Sequence, residues 1–273
     1  MKCSIIYGTA WKGERTKGLV ELALERGFVA IDTANQLKHY SEALVGEALS
    51  EFFKKGHQRE ELFIQTKFTP IDGQDHRLPY DPQAPLREQV HQSFSKSLEH
   101  LQLDYIDSYL LHGPYHHPGL GDEDWLVWEA IEELYLNKKV KKIGVSNFNH
   151  LQLSELMEKA RVKPMVVQNR CFAQTGWDFH VRKVCQTNDV MYQGFSLLTA
   201  NPFVLEFPQV IKMAEERKVT TAQIIFAFAR QVGMIPLTGT SNRSHMEQDL
   251  ASVNIQLSQE ELEFILLCGL NNQ

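Results

Sequence analysis

The sequence predicts a single (β/α)8 barrel, and three observations predict it. Eight short β-branched or aromatic apolar runs recur along the chain, longer segments of helical spacing lie between them, and no linker divides the whole. A parallel strand covered on both faces reads as a short continuous apolar run, and the helix that returns the chain reads as a 3.6-residue stripe. The first run is Ser4 to Tyr7 and the second Phe28 to Ile31, with Leu19, Leu22 and Ala23 as the stripe between them. Leu62 to Thr66 is third and Tyr105 to Leu111 fourth, separated by a helix carrying Val90, Phe94, Leu98 and Leu101. Trp125, Trp128, Ile131 and Leu134 mark the next helix, which leads into Lys142 to Val145. The last three strands are Met165 to Gln168, Val190 to Gly194 and Met234 to Pro236. With no Pro/Gly/Ser-rich linker, charge block or low-complexity tract, residues 1–273 are read as one domain, near the roughly 250 residues of a typical barrel.

Composition narrows the function. The chain is 43% hydrophobic and 23% charged, enough for a sizeable core. Its 34 acidic against 28 basic residues give a net charge of -6 and a pI near 6.0, which argues against nucleic acid or an anionic membrane as a partner. Cys3, Cys171, Cys185 and Cys268 are scattered without a C-x-x-C pair or ligand-like spacing to histidine, so neither disulfides nor a metal is expected. No apolar run approaches the roughly 18 residues of a membrane span, and Met1 to Trp11 lacks a signal peptide's apolar stretch. A cytoplasmic protein with reduced thiols is expected, and with no surplus apolar helix face, a monomer.

Three long irregular stretches directly follow strands: Thr69 to Pro82, His112 to Asp124 and Ser196 to Pro208. In a barrel they line the C-terminal face, where active sites are built. Nearly every strand also ends in a reactive or hydrogen-bonding group. These are Gly8-Thr9, Asp32-Thr33, Thr66-Lys67, His112, Ser146-Asn147, Gln168-Asn169, Phe195-Ser196 and Thr238-Gly239-Thr240-Ser241. The barrel brings Asp32, Lys67 and His112 from three successive strands to one pocket. An acid, an amine and an imidazole so placed can set proton chemistry; each alone is read first as an ion pair or a cap, and their convergence at three successive strand ends favours function.

These residues resemble the aldo-keto reductases over almost the whole chain. The matching stretches are YGTAW (7 to 11), IDTA (31 to 34), SEALVGEAL (41 to 49), LFIQTK (62 to 67), DYIDSYLLH (104 to 112), KVKKIGVSNF (139 to 148), VVQN (166 to 169) and IPLTGTSNRSHMEQDL (235 to 250). The resemblance implies NAD(P)-dependent carbonyl reduction by an Asp, Tyr, Lys, His tetrad, of which Asp32, Lys67 and His112 match directly. The tyrosine does not. The family pattern D-T-A-x-x-Y-x-N-E places its acid eight residues after the aspartate, whereas Glu42 lies ten after Asp32. Counting forward reaches Leu37 and counting back reaches His39; Tyr40 is the neighbouring alternative. A phenol is the better proton donor once Lys67 lowers its pKa from about 10, so Tyr40 is taken as the donor and His39 as second choice.

The resemblance also implies a cofactor site. Thr9, Ala10 and Asp32 lie beside it, Ser146, Asn147 and Gln168 hold the carboxamide, and Phe195, in place of the common Tyr, stacks on the nicotinamide ring. The backbone of Ser196, Leu197 and Leu198 approaches the pyrophosphate. Gly239, Thr240, Ser241, Asn242, Arg243, His245, Gln248 and Asp249 take the adenosine end at a helix N-terminus. Members that prefer NADP carry P-K-S-x-x-x-x-R there; counting back from Asp249 puts Gly239 at the lysine and His245 at the arginine. Arg243 is the candidate replacement on a 2′-phosphate, so NADP is expected, with NAD as the alternative.

The expected reaction is hydride transfer to a small-molecule carbonyl while Tyr40 protonates the oxygen and His112 orients it. Trp11, Tyr40, His112 and Tyr115 line the substrate side. His112-Gly113-Pro114 stands where relatives read H-W-P, and the usual N-terminal hairpin and long C-terminal loop are not found, so an open pocket is expected. Two other readings compete. A non-catalytic nucleotide-binding barrel draws on the disturbed tyrosine spacing, against the retained Asp32, Lys67 and His112. A metal-dependent hydrolase built on His112, His116 and His117 lacks a carboxylate cluster.

Overall fold

The computed structural model describes residues 4–270, and Cys3 lies outside them. Eight parallel strands close a barrel in sequence order, β1 pairing with β8. The chain runs β1 (Ile6–Gly8), α1 (Thr16–Arg26), β2 (Ala30–Asp32), α2 (Glu42–Lys54), β3 (Phe63–Phe68), α3 (Leu86–Leu101), β4 (Ile106–Leu111), α4 (Asp122–Leu136), β5 (Val140–Ser146) and α5 (His150–Lys159). It continues through β6 (Val166–Arg170), α6 (Phe179–Thr187), β7 (Met191–Phe195), α7 (Pro202–Leu205), α8 (Pro208–Arg217), α9 (Thr221–Gln231), β8 (Met234–Thr238), α10 (Arg243–Ala251) and α11 (Gln259–Cys268).

All eight expected strands form, with shifted ends. β3 runs two residues past its expected end at Thr66, which makes Lys67 a strand residue with a fixed direction rather than a loop residue. β2 likewise extends to Asp32. The Ser196 to Pro208 stretch is not wholly irregular, because Pro202 at the first helical position nucleates α7.

Period-two alternation sorts the side chains. Tyr7, Ile31, Ile64, Tyr109, Val145 and Val167 point outward and join the helices' stripes in the main core. Inside the barrel, Ile6, Ala30 and Leu237 form a small apolar layer with Phe63 and Ile235 packed against it. Gln65 and Lys67 follow Phe63 at two-residue steps, so the interior turns from apolar to amide to charged toward the C-terminal rim. That gradient places the reactive groups at the open end.

Candidate active site

Asp32 closes β2 and Lys67 lies next to the last residue of β3, and the two side chains meet inside the rim. Lys67 Nζ donates to both carboxylate oxygens of Asp32, at 2.7 and 2.8 Å, and to the Thr33 carbonyl at 2.7 Å. Lys67 is fully buried and Asp32 is 3% exposed. Burial pulls the Lys67 pKa down, and the Asp32 carboxylate opposes the pull. Beneath them, Gln65 Nε2 and Gln168 Nε2 donate to Asp32 Oδ1 at 2.8 and 3.0 Å. Gln65 and Gln193 exchange amide hydrogen bonds across the barrel, at 2.7 and 3.0 Å, and Gln168 Nε2 also reaches Gln193 Oε1 at 2.9 Å. Sequence reasoning named Gln168 and missed Gln65 and Gln193, whose signal is a polar residue at an inward position of an apolar strand.

The segment from Thr33 to Ser41 brings in the aromatic groups. His39 N and Tyr40 N both donate to the Gln36 carbonyl, at 3.3 and 3.0 Å, closing one helical turn. A turn of that kind sends neighbouring side chains in different directions. His39 stacks on Trp11, whose backbone N–H donates to the His39 carbonyl at 2.7 Å. Tyr40 goes inward: Lys67 Nζ lies 5.5 Å from its ring centre, and the His112 ring meets it edge-on at 5.9 Å. Its hydroxyl has no hydrogen-bond partner among the described residues. Burial, then the Asp32 charge, raises the Tyr40 pKa well above that of a free phenol. The direction is opposite to the expected lowering by Lys67, because the loss of hydration on burial is the largest influence and the Asp32 charge adds to it.

His112 follows β4. Its backbone is fixed by donation from its N–H to the Phe68 carbonyl and from Asn147 Nδ2 to its own carbonyl, both at 2.9 Å. Burial, with the Lys67 charge, pushes its pKa down to about 3, so the imidazole is neutral. Tyr115, the expected pocket wall, is half-buried, and its N–H donates to Asp124 Oδ1 at 2.6 Å. His116 is held by Asp124 and Glu123, at 3.0 and 3.4 Å. Among the described residues no group of three or more His, Cys, Asp or Glu side chains is arranged to hold a metal ion.

The remaining predicted residues lie at or after the ends of β1, β5, β6, β7 and β8. Thr9 is buried, its N–H and hydroxyl both donating to the Asp32 carbonyl at 3.0 Å, and Ala10 follows it at the rim. Ser146 Oγ donates to the Gln168 carbonyl at 2.6 Å and accepts from Asn147 Nδ2 at 3.2 Å, Asn147 having φ 61°. Phe195 is half-buried, with the Arg170 guanidinium 5.7 Å from its ring centre. The Ser196, Leu197 and Leu198 carbonyls are engaged by Ala200 and Asn201, and the Leu197 side chain belongs to the core. Gly239, Ser241, Asn242, Arg243 and His245 are exposed, whereas Thr240 and Gln248 are half-buried. Asn242 caps α10 through His245 N at 3.1 Å. Arg243 is exposed and its Nε lies 3.5 Å from Glu247 Oε1. Asp249 is buried and accepts from Thr238 Oγ1 at 2.7 Å; burial raises its pKa to about 6.

One cation the sequence did not single out is Lys12. It is 7% exposed, and its Nζ donates to the Gly239 carbonyl at 2.6 Å with no carboxylate in ion-pair range among the described residues. Burial, with Arg15 nearby, lowers its pKa to about 8. Its sequence signal is only a lysine after the first strand-end motif; its partner is 227 residues away.

Against known proteins, the aldo/keto reductase family model matches residues 4–266. The chain is 31% identical to the glyoxal reductase of Bacillus subtilis over 255 residues, covering 93% of this chain and 83% of that one. It superposes on the crystal structure of an aldo-keto reductase from a Medee basin deep-sea metagenome library with a TM-score of 0.85 at 26% identity, covering 100% and 93% of the two chains. The aldose reductase of Schistosoma japonicum gives 0.83 at 26% identity, covering 99% and 89%. With the family model matched over residues 4–266 and the barrel superposing on solved members, the chain belongs to the aldo/keto reductase family and is an NAD(P)H-dependent oxidoreductase.

Proposed function

We propose that the chain reduces an aldehyde or ketone to the alcohol with NADPH in preference to NADH, and that Tyr40 is the proton donor. The observation that carries the reading is the Tyr40 ring, set against both the Lys67 ammonium and the His112 imidazole with its hydroxyl free of protein partners. A phenol held protonated by burial can give its proton to an oxygen that gains charge. His112, neutral, donates a hydrogen bond to the same oxygen and fixes the carbonyl's direction. Lys67 stabilises the phenolate that remains, and Asp32 holds Lys67 in place.

The residues present fit a nicotinamide nucleotide. A buried ammonium without a counter-ion is unfavourable, and a phosphate beside Lys12 and the Gly239 turn removes that penalty. The N-terminus of α10 adds favourable dipole. Ser146, Asn147 and Gln168 are assigned to the carboxamide and the Phe195 ring to the nicotinamide face. Bound there, the reduced nicotinamide supplies the hydride. Lys12 is assigned a cofactor phosphate, and Arg243 is kept as the candidate for the 2′-phosphate that separates NADP from NAD. The substrate side opens between Trp11, Tyr40, His112 and Tyr115. The free, buried thiols of Cys171, Cys185 and Cys268 support a reducing, cytoplasmic setting.

The test is a titration with NADPH and separately NADH, read by tryptophan fluorescence, followed by a carbonyl screen on wild type and Tyr40→Phe. Tight NADPH binding and turnover lost in Tyr40→Phe are expected. Binding of neither nucleotide overturns the reading.

A further inference from the structure

We propose that Thr69 is a positioning residue that sets the tautomer of His112, so that the ring hydrogen sits on Nε2 and is the one offered to a substrate oxygen; the inference rests on the carbonyl-reduction reading above. His112 Nδ1 lies 2.7 Å from Thr69 Oγ1. Thr69 is 2% exposed, and His112 is the sole hydrogen-bond partner of its hydroxyl among the described residues. A buried hydroxyl is satisfied only if its hydrogen finds an acceptor. If Nδ1 carried the hydrogen, Thr69 Oγ1 would accept it and the hydroxyl's own hydrogen would be buried without a partner. The reverse arrangement satisfies both groups: Thr69 donates to Nδ1, and the imidazole hydrogen moves to Nε2. A neutral ring then has one accepting nitrogen facing the protein and one donating nitrogen left over.

Thr69 is itself clamped. Its carbonyl accepts from the Tyr80 hydroxyl at 2.9 Å and from Gln74 Nε2 at 3.3 Å. Its methyl occupies the space beside Gly73, where an added Cβ would stand 2.7 Å from Thr69 Cγ2. Gln36 Nε2 pins that turn by donating to the Gly73 carbonyl at 2.7 Å. The long loop after β3 thus has a purpose beyond enclosing the pocket: it holds one hydroxyl in one rotamer against one imidazole nitrogen. A residue without a hydroxyl at position 69 leaves the ring free to place its hydrogen on either side.

The experiment uses the full chain with isotope-labelled histidine and long-range proton–nitrogen correlation spectra at neutral pH, His112 being identified by its loss in His112→Gln. The wild type is expected to show Nδ1 unprotonated and Nε2 protonated. Thr69→Ser, which keeps the hydroxyl, retains that pattern. Thr69→Val shows Nδ1 protonated or exchanging between the two forms, with kcat on a carbonyl substrate lowered about tenfold and nucleotide affinity unchanged. Thr69→Ser restores kcat. A wild-type spectrum with Nδ1 protonated overturns the proposal even if no variant folds. So does a Thr69→Val protein that keeps both the tautomer and kcat. If no carbonyl is turned over while the wild-type spectrum is as stated, the reduction reading fails and the tautomer assignment stands.

Discussion

The imidazole of His39 lies against the indole of Trp11, with ring centres 3.5 Å apart and planes inclined by 30°. The stack occupies the His39 ring, while the Tyr40 ring lies against Lys67 and His112. We expect Tyr40→Phe to lower kcat by about 10² to 10⁴ with nucleotide binding intact. His39→Ala removes only an aromatic contact and changes kcat/KM by about tenfold or less. Steady-state kinetics on both variants decide it, and the reverse ranking transfers the donor role to His39.

Lys12 makes cofactor affinity depend on pH in a defined direction. An anion favours the protonated amine, and the free enzyme holds that amine near its titration point, at about 8. NADPH affinity should therefore weaken as pH rises through about 8, and Lys12→Gln should bind weakly at every pH with the step abolished. Arg243→Ala, removing an exposed cation already paired with Glu247, should have the smaller effect. Fluorescence titration across pH checks both, and an unchanged profile in Lys12→Gln removes Lys12 from the site.

The Asp32–Lys67 pair predicts a stability signature separate from activity. Lys67→Met leaves a buried carboxylate without its cation and should cost about 3 to 5 kcal/mol. Adding Asp32→Asn should recover part of that loss, although both proteins are inactive. Urea denaturation of the single and double variants measures it; equal stabilities show that the two charges are not coupled.

Acid sensitivity follows from His112. Its folded pKa, about 3, lies below the ordinary 6.5, so between these values the unfolded chain binds more protons. Its stabilising contribution is complete above about 6.5 and is lost as pH falls toward 3. Asp249, raised to about 6, acts in the opposite sense: its contribution falls as pH rises from 3.8 to about 6. His112→Gln should therefore lose less Tm than wild type between about pH 7 and pH 4.5. A wild-type-sized loss in the variant assigns the acid sensitivity elsewhere.

Much of this was legible in the sequence. The eight apolar runs located the strands because a parallel strand is covered on both faces and must be apolar throughout. Asp32, Lys67 and His112 were legible because a strand end that carries a charge has no packing reason to do so. Strand ends themselves were not: Lys67 is as polar as a loop residue, and its place in β3 comes from pairing with Leu110 of β4, with its side chain neutralised inside by Asp32. Lys12 and Thr69 were passed over for a different reason. Each is ordinary in its local segment, and what distinguishes it is a partner brought close only by barrel closure, Gly239 for one and His112 for the other. The phenol's pKa direction depended on how deeply Tyr40 is buried, which spacing alone does not give.

The amide exchange between Gln65 and Gln193 works as a cross-brace from one wall of the barrel to the other, one layer below the reactive groups. It fixes how deep a guest can go. A longer or bulkier substrate has to extend sideways over the rim, so its shape is read by Trp11, Tyr115 and the long loops. Redesign of selectivity can therefore proceed there and leave the barrel's interior untouched.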